Sequence, residues 1–100
     1  MERSGDIISF TEAEASEFDV SPAVTVASAL ETALGFEEAA KQLHYTADSL
    51  TGSSEAKEQA TEERLRQRAG RLTCFARGIR GQCSASEVED AELRQAQAGL

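Results

Sequence analysis

The sequence predicts an all-α protein, an antiparallel helical hairpin followed by a short third helix or a tail. Two stretches carry apolar residues at steps of three and four, which places those side chains on one face of an α-helix. Only the polar segment 51–54 separates the stretches, and so short a connection favours antiparallel neighbours. We therefore expect a hairpin domain over residues 18–83, a mobile acidic arm at residues 1–17, and a short helix or disordered tail at residues 84–100.

The first helix is predicted to run from Thr25 to Leu50, with Thr25 or Ser21 as its N-cap. Its apolar face mixes alanine with larger side chains, and small side chains let another helix approach closely. Gly35 costs this helix about 1 kcal/mol relative to alanine, so either something approaches closely there or the helix bends. We assign these residues of the apolar face to self-association: Val26, Leu30, Ala33, Ala40, Leu43 and Ala47.

The second helix is predicted over about residues 54–79. Its first half is almost wholly polar, but its second half repeats apolar residues at four-three spacing and should lie on the first helix. This stripe consists of Leu65, Ala69, Leu72, Phe75 or Ala76, and Ile79. Farther on, Ser84 and Glu87 have the spacing of a capping box, so a third, short helix is predicted near Ser86.

A chain of 100 residues builds only a small core. Two packed helices bury only the apolar faces that meet between them. Any further apolar face would be exposed to water unless a second copy or another protein covered it. We therefore expect a homodimer in which two hairpins form a four-helix-like bundle.

The segment before the hairpin is interpreted as an arm. Residues 1–17 place Ile7, Ile8 and Phe10 among polar and acidic residues, which is too little apolar surface to order the segment alone. Either the segment is a disordered terminus, or these three residues dock on a partner or a second subunit. From Phe18 to Pro22 apolar and polar residues alternate, and the residue before a proline favours extended backbone, so we expect an extended lead-in to the first helix.

The formal net charge is −8, but the charges are unevenly spread. Residues 64–86 hold six arginines and no acid, whereas residues 1–63 hold 14 acids and three bases.

Nucleic-acid binding is one interpretation of these arginines, because arginines that neutralise phosphates release counterions. The negative charge, the few aromatics for base stacking and the lack of helix-turn-helix spacing oppose it. We expect no direct nucleic-acid binding, and a DNA-binding regulator using Arg64–Arg80 is the less favoured function. The favoured interpretation pairs the arginine heads with the acids Glu55–Glu63 of a neighbouring chain or a partner.

No catalytic or metal site is predicted. His44 is the only histidine and has no second histidine or cysteine at ligand spacing. Cys74 and Cys83 lack a histidine base nearby, and two cysteines without an apolar signal segment are typical of a reducing, cytoplasmic setting. No apolar run is long enough to cross a membrane. We expect a cytoplasmic protein that is not an enzyme and uses no cofactor or metal.

One stretch of the chain resembles a known family, covering about residues 18–50 and weakening beyond. The similarity is to small uncharacterised helical proteins of Gram-negative bacteria, and it rests on Phe18-x-Val20-x-Pro22, Thr25, Ala29-Leu30 and Ala47-Asp48. The chain departs from the pattern expected of that family at two places. Ala23 stands where a glycine follows the proline, and Gly35-Phe36 stands where an apolar pair is expected.

The chain also resembles the QslA-type antiactivators of LuxR-type quorum-sensing regulators, small helical proteins that bind the regulator LasR and prevent its active dimer from forming. The resemblance implies that this protein binds the ligand-binding domain of a LuxR-type regulator and sequesters it stoichiometrically. A helical structural or adaptor protein is the alternative. Helical position, rather than the resemblance, suggests the partner-binding residues: Leu34, Phe36, Tyr45, Leu72, Phe75, Ile79, Arg64, Arg68 and Arg71.

Overall fold

The computed structural model describes residues 1–98, which form four helices and three short strands. The molecule is flat and elongated, with extents of 51 × 35 × 18 Å. A helix with its side chains is about 10–12 Å across, so the thin dimension holds only two layers of secondary structure. The elements are β1 Glu2–Ser4, β2 Ile7–Ser9, α1 Glu12–Phe18, β3 Ala23–Thr25, α2 Val26–Ser49, α3 Ala56–Gly81 and α4 Ala85–Ala98.

The long helices α2 and α3 form the predicted antiparallel hairpin. Thr25 is the N-cap of α2, and its hydroxyl oxygen accepts a hydrogen bond of 3.1 Å from the Ser28 backbone N–H. The apolar stripes of the two helices are buried against each other and against the segment before α2. Their buried residues are Val26, Ala29, Leu30, Ala33, Ala40 and Ala47 in α2, and Ala69, Leu72, Phe75, Ala76 and Ile79 in α3.

A small antiparallel sheet shows that the predicted all-α class is too simple. Its strand order is β1-β2-β3, and β2 is the central strand. Backbone hydrogen bonds extend the sheet past its ends, because the Phe10 N–H donates to the Pro22 carbonyl at 2.7 Å and the Val26 N–H donates to the Asp6 carbonyl at 2.8 Å. The fold is therefore mainly helical, with a three-stranded sheet attached to the start of α2.

The predicted mobile arm at residues 1–17 is instead the strand pair β1–β2 and helix α1. Ile8 is fully buried and Phe10 is 8% exposed, and both lie in the main core beside α2 and α3. A capping box starts α1, since Thr11 and Glu14 each accept a hydrogen bond from the other's backbone N–H. The segment has little apolar surface of its own, but docking on the hairpin buries its largest side chains, and that burial stabilises its ordered form.

The extended lead-in begins later than predicted. Phe18 is the last residue of α1, and Asp19 closes that helix in the left-handed conformation with a φ of 52°. Extended backbone is found in β3, after Pro22. Phe18 joins the helix because its ring then reaches the aromatic side chains of the hairpin.

The third helix predicted near Ser86 is α4. Its N-terminus has the predicted capping box, because the Glu87 N–H donates to the Ser84 hydroxyl at 3.2 Å and the Ser84 N–H donates to the Glu87 carboxylate at 2.9 Å. Ala91 is buried in the main core, and Val88 packs beside it. Residues 99 and 100 of the predicted segment 84–100 lie outside the described residues.

Arg3 connects β1 to α4. Its guanidinium donates to the two carboxylate oxygens of Glu87 at 2.8 and 2.9 Å, and to the Gln82 carbonyl at 2.8 Å. Hydrogen bonds from the Ser84 backbone N–H and from Arg3 lower the pKa of the Glu87 carboxyl. The charged form of Glu87 is therefore favoured in the folded protein, where it holds α4 against the sheet.

Ile8→Ala is expected to reduce the free energy of unfolding by about 2–5 kcal/mol, because it leaves a cavity where a side chain is fully buried. Ile7, on the other face of β2, is 39% exposed and is the matched control. Ile7→Ala should cost less than about 1 kcal/mol. Urea unfolding followed by circular dichroism measures both. Equal effects would show that this strand does not pack on the hairpin.

Acid is expected to remove the stabilisation that Glu87 provides. Because folding lowers the pKa of Glu87, the contribution is present at pH values above the carboxyl's unfolded value and is lost as pH falls through the folded value. Wild type should be more stable than Glu87→Gln at pH 7, and the difference should shrink steadily below about pH 4.5. Glu89→Gln, an exposed change in the same helix, gives the baseline. A difference between wild type and Glu87→Gln that did not change with pH would contradict this assignment.

Candidate protein-binding groove

Phe75 of α3 is the centre of an aromatic cluster. Its ring stacks on Phe18 of α1 with 4.0 Å between ring centroids, and it meets Phe10 and Phe36 at 5.2 and 5.6 Å. Phe18 also meets Phe36 at 5.8 Å. Close aromatic pairs add stabilisation beyond the area that they bury. The cluster fixes where α1 lies on the hairpin.

Beside the cluster α1 and α3 leave an open groove of about 780 Å³ between them. Phe18, Phe75 and the Met1 side chain form its apolar lining, and we call these three residues the groove floor. On the α1 side the groove is lined by the acids Glu14 and Glu17. The rest of the lining comes from α3 and is small or polar: Gln67, Gly70, Arg71, Cys74, Gly78 and Gln82.

The outer face of α3 has few bulky side chains. Small or polar residues recur there at steps of three and four, opposite the buried stripe, and all are exposed: Ala56, Ala60, Glu63, Gln67, Gly70, Cys74, Gly78 and Gly81. A Cβ on Gly78 would lie 3.2 Å from the Met1 methyl carbon, whereas a Cβ on Gly70 would meet nothing within 4 Å. Contacts inside the chain therefore do not explain Gly70, although glycine costs a helix interior about 1 kcal/mol.

The acids of the groove already have partners within the chain. The Met1 ammonium lies 3.3 Å from the Glu14 carboxylate, and a hydrogen bond from the Thr11 backbone N–H is the main cause that lowers the pKa of Glu14. Glu17 forms an ion pair with Arg71 of α3. A carboxylate can accept further hydrogen bonds from a second cation. Because α1 carries acids and no base, this side of the groove remains suited to a basic partner.

The α3 arginines fall into two groups. Three pair with acids of their own chain: Arg66 with Asp48 and Glu62, Arg71 with Glu17, and Arg80 with Glu37 and Glu92. Hydrogen bonds to Glu37 and then to Glu92 raise the pKa of Arg80. The predicted pairing with another chain is therefore wrong for this group, because the fold brings acids of α1, α2 and α4 alongside α3 and Glu62 lies one turn before Arg66. Within residues 1–98, no ion pair involves the second group, the exposed Arg64, Arg68 and Arg77.

Three of the predicted partner-binding residues belong to the core. Leu72, Phe75 and Ile79 are 4%, 5% and 0% exposed, because the hairpin partner and the segment before it cover the α3 stripe. Only Phe75 among them also lines the groove. The structure places the others nearer the surface: Leu34 and Phe36 are half-buried, Tyr45 is 76% exposed, and Arg64, Arg68 and Arg71 are exposed.

The residues predicted for self-association are also covered by their own chain. They lie on the face of α2 that meets α3 and the sheet. Five are buried and one is half-buried: Val26, Leu30, Ala33, Ala40 and Ala47, and then Leu43. A second copy would have to dock on another surface.

The described residues offer little for chemistry. No three His, Cys, Asp or Glu side chains among residues 1–98 are placed to hold a metal ion. Cys74 and Cys83 are free thiols, and burial raises the pKa of Cys83, whose thiol donates to the Ile79 carbonyl at 3.3 Å. A raised pKa reduces the thiolate fraction and hence the nucleophilicity of this cysteine. Within the same range, the helices are too short or too polar to pass through a bilayer.

Comparisons with known proteins identify no relative. The chain matches no family of known proteins, no curated protein and no solved structure. The groove between α1 and α3 is therefore the main structural clue to its function.

Sequence reasoning missed most of the groove. The predicted arm contains Met1 and Glu14, and the predicted lead-in begins at Phe18. Nothing local in the sequence indicates that these residues reach α3. Gly70 and Gly78 could have been found, because small residues recur on the outer face of α3 at the same three-four spacing as the core stripe.

Phe75→Ala is expected to reduce the free energy of unfolding by about 3–5 kcal/mol, since it removes the ring that three other aromatic residues contact. Tyr45→Ala, at a side chain that is 76% exposed, should change it by no more than about 0.5 kcal/mol. Denaturant unfolding measures both. If Phe75→Ala left the unfolding midpoint unchanged, Phe75 would not be packed in the core.

Proposed function

We propose that this protein is a cytoplasmic antiactivator that binds a LuxR-type transcriptional regulator, blocks its dimerisation and so prevents it from binding DNA in quorum sensing. The observation that supports a protein-binding role is the open groove between α1 and α3. Its floor is apolar, and Arg64 and Arg68, which have no ion pair among residues 1–98, follow the Arg71 side of α3 beyond it; an apolar anchor site beside exposed charges is typical of protein interfaces. The regulator is proposed from the resemblance of the sequence.

Sequestration requires binding and no catalysis. A regulator that recognises two half-sites does so as a dimer. A protein that holds the regulator's ligand-binding domain as a monomer lowers the concentration of that dimer by mass action. An amphipathic helix of the regulator suits the groove, with its apolar residues on Phe18 and Phe75 and its acids towards Arg64 and Arg68.

DNA binding has less support as the function. Half of the six α3 arginines are paired with acids of the chain. A phosphate backbone would approach an overall charge of −8. A helical adaptor with another partner would use the same groove, and the choice of partner in the test separates it from an antiactivator.

The test is light scattering on size-exclusion fractions of the protein mixed with the ligand-binding domain of a LuxR-type regulator from the same cell. We expect a discrete complex that contains one regulator subunit. Gly70→Leu places a large side chain in the groove at a position where a Cβ has no neighbour within 4 Å, and should weaken the complex by about tenfold or more. Gly35→Leu, also at an exposed helical glycine with no neighbour within 4 Å, lies outside the groove and is the matched control.

Two results would overturn the proposal. A regulator dimer that persists unchanged in the mixture would remove the antiactivator function. A DNA duplex shifted by the protein alone, with steep dependence on salt and loss of the shift in Arg64→Gln/Arg68→Gln, would favour the DNA-binding alternative.

A further inference from the structure

We infer that, in the free protein, the groove between α1 and α3 is filled by helix α3 of a second copy, packed antiparallel in a symmetric dimer. The inference rests on the proposed function in one respect, that the groove is the protein-binding surface. It adds an occupant for the groove and a form of regulation, since self-association and capture of a partner then compete for one site.

The shape of α3 supports a close helix–helix contact. The α3 part of the groove lining runs from Gln67 to Gln82, which spans roughly 22 Å at 1.5 Å per residue. Over this length the exposed residues nearest the centre of the face are Gly70, Cys74 and Gly78, and small side chains let a second helix backbone approach. Because the Met1 side chain lies over Gly78, the closest approach is at Gly70 and Cys74. The same face on a second copy is equally small. Two such faces can therefore pack more closely than either could pack on a helix with large side chains.

Charge complementarity favours a second copy of the chain as the occupant of the groove, with its α3 antiparallel to the first. Arg64 and Arg68 precede Arg71 by seven and three residues, so all three lie on the side of α3 that faces α1. Arg71 already pairs with Glu17 there, whereas Arg64 and Arg68 extend beyond the end of α1 and have no ion pair among residues 1–98. An antiparallel second α3 brings its own Arg64 and Arg68 over Glu14 and Glu17 of the first chain.

A parallel second α3 would not bring these opposite charges together. In a parallel arrangement the second α3 would turn its Arg64 side away from α1 and leave the acids of the groove facing uncharged residues. The antiparallel arrangement is also self-consistent under a two-fold axis near the middle of the face, between Gly70 and Cys74. Each copy then supplies one groove and one helix, and both grooves are filled by one symmetric interface.

Such a dimer makes capture of a partner depend on concentration. A regulator binds only after the second copy has left the groove, so the apparent affinity for the regulator falls as the concentration of the protein rises above its dimer dissociation constant.

Sedimentation equilibrium of the full chain over a range of concentrations tests the inference. Wild type should behave as a monomer–dimer system. Gly70→Leu should be monomeric with unchanged helicity, because a Cβ at this position has no neighbour within 4 Å, and Gly35→Leu should dimerise like wild type. Arg64→Glu/Arg68→Glu should raise the dimer dissociation constant by about tenfold, since two favourable charge contacts at each end become repulsive.

The outcomes separate this inference from the proposed function. A wild-type protein that is monomeric at every concentration overturns the dimer, even if it captures the regulator. A dimer that survives both Gly70→Leu and the double arginine change uses another surface, and an assembly larger than a dimer excludes the two-fold arrangement. A wild-type dimer that Gly70→Leu dissociates, in a protein that ignores the regulator, supports the inference and removes only the antiactivator function.

Discussion

The structure depends on the burial of one aromatic ring, that of Phe75. Its neighbours Phe10, Phe18 and Phe36 come from the end of β2, from α1 and from α2, so a single side chain of α3 joins both other helices of this region and the sheet. The hairpin alone would leave this ring partly in water, because α2 meets α3 along one side only. Burial of a large aromatic side chain is among the strongest local contributions to stability that a small domain can obtain. It therefore explains why a weakly apolar N-terminal segment packs on the hairpin.

The same contact leaves the groove open. α1 is only seven residues long, and its last residue, Phe18, stacks on the ring of Phe75. The space between the helices is thus a consequence of how α1 is anchored. It needs no strain in the backbone, since Asp19 ends α1 in the left-handed conformation, which a short polar side chain tolerates. The molecule is 18 Å across its thinnest dimension, which leaves little room for a further element that could cover the groove.

The hairpin could be predicted from sequence because its determinants are local and periodic. The steps of three and four in α2 and α3, the Thr25 cap and the capping box of Ser84 and Glu87 are each visible within a few residues. The sheet could not be predicted, because three-residue strands are too short to show an alternating pattern and their stability comes from Ile8 packing on distant helices. Leu72 and Ile79 were predicted to bind a partner for the same reason, because the sequence does not show which distant elements of the chain cover α3. Periodicity shows that a residue faces something apolar, but not whether that surface belongs to the same chain.

The two faces of α3 differ in what they require of a neighbour. The inner face carries large side chains, and complementary shapes on α2 and the sheet satisfy it within the chain. The outer face carries Gly70 and Gly78, and glycine in a helix interior reduces stability unless the space above it is used. Met1 fills that space at Gly78, but among residues 1–98 nothing lies within 4 Å of a Cβ at Gly70. A second helix at Gly70 would give the missing contacts, and its arginines would meet the acids of α1. Shape and charge therefore favour the same surface, the outer face of α3, as the place where we propose that another chain docks.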